Sequence, residues 1–232
     1  MTDATLVLVG NAKAGTISSF RLAEGALEPL ATSTVGAGCG TFAVDEDRDL
    51  VYCATKEPDA SVLTLALDRA TGELDEVARF AIGDHVAYLS LARDGSVLLG
   101  ASYPGGWGTA WPVTDGRLGE PSSRVEHANI HCVVTDAAGE HAYFVSLGDD
   151  LIAQCALSAD AELEPLEAPT VSVAPGSGAR HLVLSHDQRS AYLMTEFTGE
   201  AIRFERDATT GELTVAESVA AHVVTSEEDI VW

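Results

Sequence analysis

Lysine is almost absent from this chain of 232 residues, occurring only at positions 13 and 56. Thirteen lysines and arginines face 36 aspartates and glutamates, giving a formal charge of −23. That balance argues against nucleic acid or an anionic membrane as a partner, because both reward a basic face. It reads instead as a solvating acidic surface. Apolar runs of membrane-spanning length are also missing, although 46% of the residues are hydrophobic. The opening stretch, MTDATLVLVGNAKAG, has an acidic residue where a secretory signal carries positive charge, and its apolar run is short. No export signal is therefore expected, and the protein is read as cytoplasmic.

Cysteine is sparse and scattered. Cys39, Cys53, Cys132 and Cys155 show no C-x-x-C pairing, which leaves small buried thiols in a reducing compartment as the reading and no metal or redox use. There is no G-x-S-x-G nucleophile motif and no His/Cys set with zinc spacing. The Gly105-Gly106 pair is followed by no helical pattern, so it is a turn and not a phosphate loop. Nowhere does a convincing helical period appear.

What the chain does contain is repetition. Turns of one kind recur as AEGALEPL (23–30), DRATGELDEV (68–77), TDGRLGEP (114–121), SADAELEPL (158–166) and DATTGELTV (207–215); their leucines, Leu27, Leu74, Leu118, Leu163 and Leu213, lie 47, 44, 45 and 50 residues apart. A second landmark keeps the same period. TFAVDEDRDLVYCATKE, YLSLARDGSVLLGASY, CVVTDAAGEHAYFVSLGD and HLVLSHDQRSAYLMTE align with Tyr52, Leu98, Tyr143 and Tyr192 in equivalent places.

Each unit reads as four strands. Strand a covers roughly 41–45, 87–92, 131–135 and 180–185; strand b covers 49–56, 96–103, 141–147 and 190–196; strand c covers 61–67, 108–113, 151–157 and 200–205; strand d follows the Gly-Glu-Leu-like turn. A four-stranded unit repeating every 40–50 residues is the signature of a β-propeller blade. The expected fold is therefore all-β, one propeller domain over 1–232 with about five blades. The first unit has strands b (4–11), c (16–22) and d but no strand a, while residues 228–232 would begin another a strand. That end strand either completes the first blade of a five-bladed ring or opens a further blade of a larger propeller.

In a propeller, strand a lines the central channel and runs antiparallel to strand b, so a-strand starts and b-strand ends share one face. On that face the pattern places His131 and Arg180 at equivalent positions of neighbouring blades, with Glu196 beside Arg180. Asn11, Lys13, Lys56, Tyr103 and Asp149 fall at b-strand ends there. An arginine beside a carboxylate at a strand end is either a structural ion pair or the start of an active site. As chemistry, a histidine or carboxylate can activate water, and an arginine can neutralise a developing oxyanion or grip an anion through a forked contact. Both lysines at one mouth would attract an anionic ligand. His127 reads as loop, and His85, His141, His186 and His222 read as turn or outer-strand residues. Trp107 and Trp111 read as blade packing or channel rim.

Three stretches resemble the seven-bladed propeller lactonase family, which includes propeller-type bacterial 6-phosphogluconolactonases and fungal carboxy-muconate lactonising enzymes. GSGARHLVLSHDQRSAYLMTEFTGEAIRFERDATTGELT resembles its G-P-R-H…S-P-D-G…A-Y…N-E…G-x-L-T stretch. IHCVVTDAAGEHAYFVSLGDDLI resembles H-S-V…D-P-D-G…Y-V-x-D-L-G-x-D, and VAYLSLARDGSVLLGASYPGGWGTAWPV resembles H-L-S-L…D-G…L-L-x-A-N-Y-x-G-G. The resemblance implies a lactone-handling site at the channel mouth built from His131, Arg180 and Glu196; Lys13, Lys56, Tyr103 and His181, from their places on the same face, are read as substrate-binding. It implies an anionic lactone such as 6-phosphoglucono-1,5-lactone as the partner, and no metal, nucleotide or other cofactor. A lactonising isomerase acting on a dicarboxylate, or a non-catalytic binding propeller, are the alternatives. The sequence departs from the family pattern at Asn129-Ile130-His131 (His-x-His), at Ala179 (Pro) and at Ser102-Tyr103 (Asn-Tyr). Its length also falls about two blades short of seven, so it is read as five blades of a seven-bladed pattern in preference to a closed ring of five.

Overall fold

The structure, a computed structural model, describes residues 5–221, all of them strand, turn or loop. Twenty strands form five antiparallel sheets whose order follows the chain. The first sheet has three strands, β1 (Thr5–Asn11), β2 (Thr16–Ala23) and β3 (Ala26–Thr34). The second runs β4 (Phe42–Asp45), β5 (Leu50–Thr55), β6 (Ser61–Leu67) and β7 (Leu74–Ala81). In the third, β8 (Tyr88–Ala92), β9 (Val97–Ser102) and β10 (Trp107–Thr114) are followed by an interrupted outer strand, β11 (Arg117–Leu118) and β12 (Arg124–Glu126), both paired to β10. The fourth contains β13 (Ile130–Thr135), β14 (His141–Ser146), β15 (Leu151–Leu157) and β16 (Leu163–Ser172). The fifth contains β17 (Ala179–Leu184), β18 (Ser190–Thr195), β19 (Glu200–Arg206) and β20 (Leu213–Ala220).

The repeat seen in the sequence is thus the blade, and the a, b and c strands fall where expected to within a residue or two. The d strand of the third blade is interrupted over residues 119–123, Pro121 among them; proline has no N–H to give a ladder. The proposed a strand at 228–232 and His222 lie outside the described residues.

Packing explains why the second strand of each middle blade is buried on both faces instead of alternating. LVYCAT of β5, VLLGAS of β9 and HAYFVS of β14 are buried along nearly their whole length, because a neighbouring sheet covers each face. Four apolar clusters fill the gaps between successive sheets. Ile17, Val35 and Cys39 meet Val51, Cys53 and Leu63; Tyr52 and Val62 meet Leu98, Trp107 and Trp111. Leu99 and Ala110 meet Val133 and Phe144, and Tyr143 and Ile152 meet Leu182, Leu193 and Phe204. The two tryptophans are core, not rim. By contrast β18, SAYLMT, alternates buried and exposed positions, with Tyr192 and Met194 open on one face.

The fourth and fifth sheets are also pinned by a buried polar network. Arg206 Nη2 lies 2.6 Å from Asp136 Oδ2, and its Nε donates to Tyr143 Oη at 2.7 Å; that hydroxyl donates to the Gly211 carbonyl at 2.6 Å. His141 Nδ1 sits 2.8 Å from the same Asp136 oxygen. His141, read from the sequence as a turn or outer-strand residue, is therefore part of a joint between blades. Each of the three Arg206 guanidinium nitrogens has an acceptor, Nη1 on the Gln188 carbonyl at 3.2 Å, which is what makes a buried charge tolerable. The joint holds the two blades that carry Arg180 and His131 in a fixed relation.

Candidate active site

Two β-bulges build the site. On β13, Ile130 pairs with Ser146 and Cys132 with Val145, leaving His131 as the extra residue. On β17, Ala179 pairs with Thr195 and His181 with Met194, leaving Arg180 as the extra residue. A bulge breaks the in/out alternation and re-aims the side chain at the break. The flanking Ile130, Cys132 and Ala179 are all fully buried, so the apolar neighbours stay in the core while His131 and Arg180 turn to the channel side. Both bulges sit at the same position of adjacent blades, so the two side chains converge.

The hairpin β17–β18 then delivers Glu196. The carbonyl of Gly178 accepts the Glu196 N–H at 2.7 Å, and the Gly178 N–H donates to Asp150 Oδ1 at 2.6 Å. Gly178 has φ +70°, and a Cβ there would stand 2.6 Å from the Phe197 ring, so only glycine holds this turn without strain. As a result Arg180 Nε lies 2.8 Å from Glu196 Oε2, each side chain about a fifth exposed. The sequence-predicted pair is real, and it faces solvent instead of being sealed.

The rings pack in a row across three blades. His131 and His181 centroids are 4.9 Å apart at 61°. Tyr103, just past the end of β9, meets His131 edge-on at 5.9 Å, and Tyr88 of β8 meets His181 at 6.1 Å. Tyr88 is a site member that the sequence reading missed. It occupies on β8 the place that His181 occupies on β17, each pairing one step inside the channel end of the neighbouring strand, a correspondence that appears only in the strand register. Asn129 Nδ2 donates to the Tyr103 carbonyl at 3.2 Å and so tethers the tyrosine loop to the histidine blade.

Charge follows from this packing. Burial, then the positive Arg180 guanidinium, then His181 push the His131 imidazole down to about 4; its own backbone carbonyl pulls weakly the other way. His181 is held below the ordinary histidine range by the blade edges around it and by Arg180, with Glu196 opposing. Both histidines are thus neutral at pH 7, and the fixed cation of the centre is Arg180. His131 Nδ1 is buried with no hydrogen-bond partner among the described residues, so Nε2 is the ring atom that a substrate or water can reach.

The remaining predicted residues lie on the same mouth but further round. Lys13 sits in the turn between β1 and β2, and Lys56 follows β5; both are exposed. His127, in the loop before β13, places Nδ1 3.0 Å from Asp149 Oδ2. No group of three or more His, Cys, Asp or Glu side chains placed to hold a metal occurs among the described residues. A cavity of about 610 Å³ opens at the other end of the channel, lined by Asp45, Arg93, Asp94, Asp136 and Gln188 among others. Its Asp45 and Asp136 are already paired, to Arg48 and Arg206, and none of the converging site residues lines it. The converging side chains are at the opposite mouth.

The sequence family described as lactonase, 7-bladed beta-propeller, matches residues 6–229. The chain belongs to that family. Among curated relatives, this lactonase-family chain is 27% identical over 201 residues to a 6-phosphogluconolactonase of Pectobacterium carotovorum, covering 86% of this chain and 60% of the relative. It is 28% identical over 193 residues to the Bacillus subtilis 6-phosphogluconolactonase, covering 77% and 54%. The chain therefore spans little more than half the length of these relatives. Among solved structures, a candidate 6-phosphogluconolactonase of Bacteroides fragilis superposes with a TM-score of 0.84 at 27% identity, over 96% of this chain and 69% of that one. A periplasmic gluconolactonase of Pseudomonas aeruginosa, at TM-score 0.83 and 24% identity over 97% and 70%, shares the fold. Among the described residues no helix is long and apolar enough to cross a membrane.

Proposed function

We propose that this chain carries the catalytic centre of a lactone hydrolase that opens 6-phosphoglucono-1,5-lactone to 6-phosphogluconate, a step of the pentose phosphate pathway. The observation that carries the reading is the convergence of the Arg180–Glu196 pair with a neutral His131 on equivalent bulges of adjacent blades. The naming of the relatives as 6-phosphogluconolactonases supports the substrate. A cytoplasmic setting suits four cysteines that are all unpaired and buried.

In this reading the lactone carbonyl oxygen lies against the Arg180 guanidinium. A water molecule adds to the carbonyl carbon as its proton passes to His131 Nε2. Glu196 orients both the arginine and the water. Negative charge gathers on the former carbonyl oxygen, where Arg180 offsets it. Collapse of the adduct breaks the bond between the carbonyl carbon and the ring oxygen, and that oxygen takes the proton back from His131. An imidazolium whose pKa is about 4 is a strong donor for this second half, although a modest base for the first. Strain in the cyclic ester lowers the barrier enough for so small a set. His181 and Tyr103 present their rings to the sugar, Tyr88 backs His181 with its hydroxyl turned to Cys132, and Lys13 and Lys56 supply positive charge on the same mouth.

The test is a turnover assay on freshly generated 6-phosphogluconolactone, corrected for spontaneous hydrolysis. Hydrolysis above background is expected, falling about 10²–10³-fold in Arg180→Ala, the cost of losing an oxyanion-stabilising donor. Glu196→Gln should fall as well. Turnover no faster than background, or full activity in Arg180→Ala, would overturn the assignment.

A further inference from the structure

The two lysines are not independent surface residues. Lys13 rides a turn in which the Asn11 carbonyl accepts the N–H groups of Ala14 and Gly15, both at 2.9 Å. The next residue back, Ala12, accepts the Gly38 N–H at 2.8 Å, and the Lys56 N–H donates to the Ala37 carbonyl at 2.7 Å. One dipeptide, Ala37-Gly38, thus ties the Lys13 turn of the first blade to the Lys56 strand end of the second. The Lys56 stem lies across Gly38, where an added Cβ would stand 2.5 Å from Lys56 Cγ and where φ is +87°; a larger residue would lift the stem off the loop.

The charges at this joint are those of Lys13 and Lys56, with Glu57 beside them, its N–H donating to the same Ala37 carbonyl at 3.4 Å. The ion pairs among the described residues are formed by arginine or histidine, and neither lysine has a carboxylate partner. That is unusual in a chain with 36 acidic residues. His85, from the third blade, is the neighbour of Lys56: burial first and the Lys56 charge second lower its pKa, while the Thr55 backbone opposes. His85 Nδ1 is buried without a hydrogen-bond partner. His85 is therefore uncharged beside the lysine, and the local positive charge stays on the ammonium groups. The sequence reading placed His85 at a turn or outer strand; it is instead a wall of this group.

We propose that Lys13, Lys56 and the Ala37-Gly38 loop form an anion subsite for a phosphate monoester, on the first two blades and distinct from the Arg180–Glu196 centre on the fifth. The inference rests on the lactonase reading and extends it: the substrate lies across the mouth, with its carbonyl at Arg180 and its phosphate at the lysines. Ammonium groups on flexible stems suit a phosphate, whose three terminal oxygens need no fixed fork. Elsewhere the excess of carboxylates, 36 against 13 lysines and arginines, disfavours an anion.

Calorimetric titration of 6-phosphogluconate, gluconate and inorganic phosphate into the protein tests the subsite without relying on turnover. 6-Phosphogluconate should bind at least about tenfold more tightly than gluconate, the scale of a hydrogen bond to a charged group, and the ratio should shrink with added salt. Inorganic phosphate alone should bind weakly and compete. The preference should vanish in the Lys13→Met, Lys56→Met double variant, survive in Lys56→Arg, and survive in Arg180→Ala. Equal affinity for 6-phosphogluconate and gluconate, or a preference untouched by the double variant, overturns the subsite. Lactone turnover without phosphate preference removes the subsite and leaves the lactonase; phosphate-selective binding without turnover does the reverse.

Discussion

Replacing Arg180 by glutamine should raise the pH at which His131 titrates, and the new value should stay below 6.5. The wild-type ring is displaced from 6.5 to about 4, a preference for the neutral form worth about 3 kcal/mol at 1.36 kcal/mol per tenfold. Burial is the largest cause, with the Arg180 charge second and His181 third. Glutamine keeps a polar side chain of similar length but removes the charge, so the burial contribution remains and only part of the displacement is recovered. Ring-proton NMR over pH 3–8, with His131→Gln to assign the signal, reads the value directly. The double variant Arg180→Gln, Glu196→Gln controls for the carboxylate that the single change frees. The sign for stability follows. A histidine whose folded pKa is depressed contributes fully above 6.5, and that contribution is lost as the pH falls through about 4. Wild type should therefore lose more stability across that window than Arg180→Gln. The rate supported by neutral His131 should rise through about pH 4 and stay level to neutrality. A wild-type titration near 6.5 would refute the burial argument, and a complete return to 6.5 in Arg180→Gln would show that charge, not burial, dominates.

Two further outcomes concern the joint between the fourth and fifth blades. Arg206→Met leaves Asp136, 6% exposed, without the guanidinium 2.6 Å away; breaking one side of such a buried pair costs about 3–5 kcal/mol, measurable as a lower urea midpoint at unchanged slope. The double variant with Asp136→Asn should recover part of it. Gly211→Ala, at φ +78° and with a Cβ directed into the His141 ring, should cost about 1–3 kcal/mol by the same measurement. A loss below half a kilocalorie in either variant would show that the joint does not hold the blades together.

The repeat was legible because a blade imposes its period twice, once through the glycine turn that must meet the preceding blade and once through the apolar strand buried on both faces. Gly211 shows the first constraint, packed on His141 of the blade before it, and Tyr143 the second, fully buried between sheets. Arg180 and Glu196 were likewise legible, since a hairpin joins its own ends whatever surrounds it. His85, His141 and Tyr88 were not. Each acquires its role from another blade: His85 from Lys56, His141 from Arg206, and Tyr88 from His181. Nothing in the local pattern at those positions records which blade edge will face them.

The sequence by itself determined the four-stranded unit, its period, the hairpin that pairs Arg180 with Glu196, and the acidity that makes two lysines stand out. These depend on local periodicity and turn chemistry, which the chain carries within each repeat. Only the tertiary structure decided that His131 and Arg180 are both bulge residues, that their rings and charges converge, and that His131 is neutral. A bulge is a mismatch between two strands, and desolvation is a property of the walls around a group; neither exists until the blades have packed.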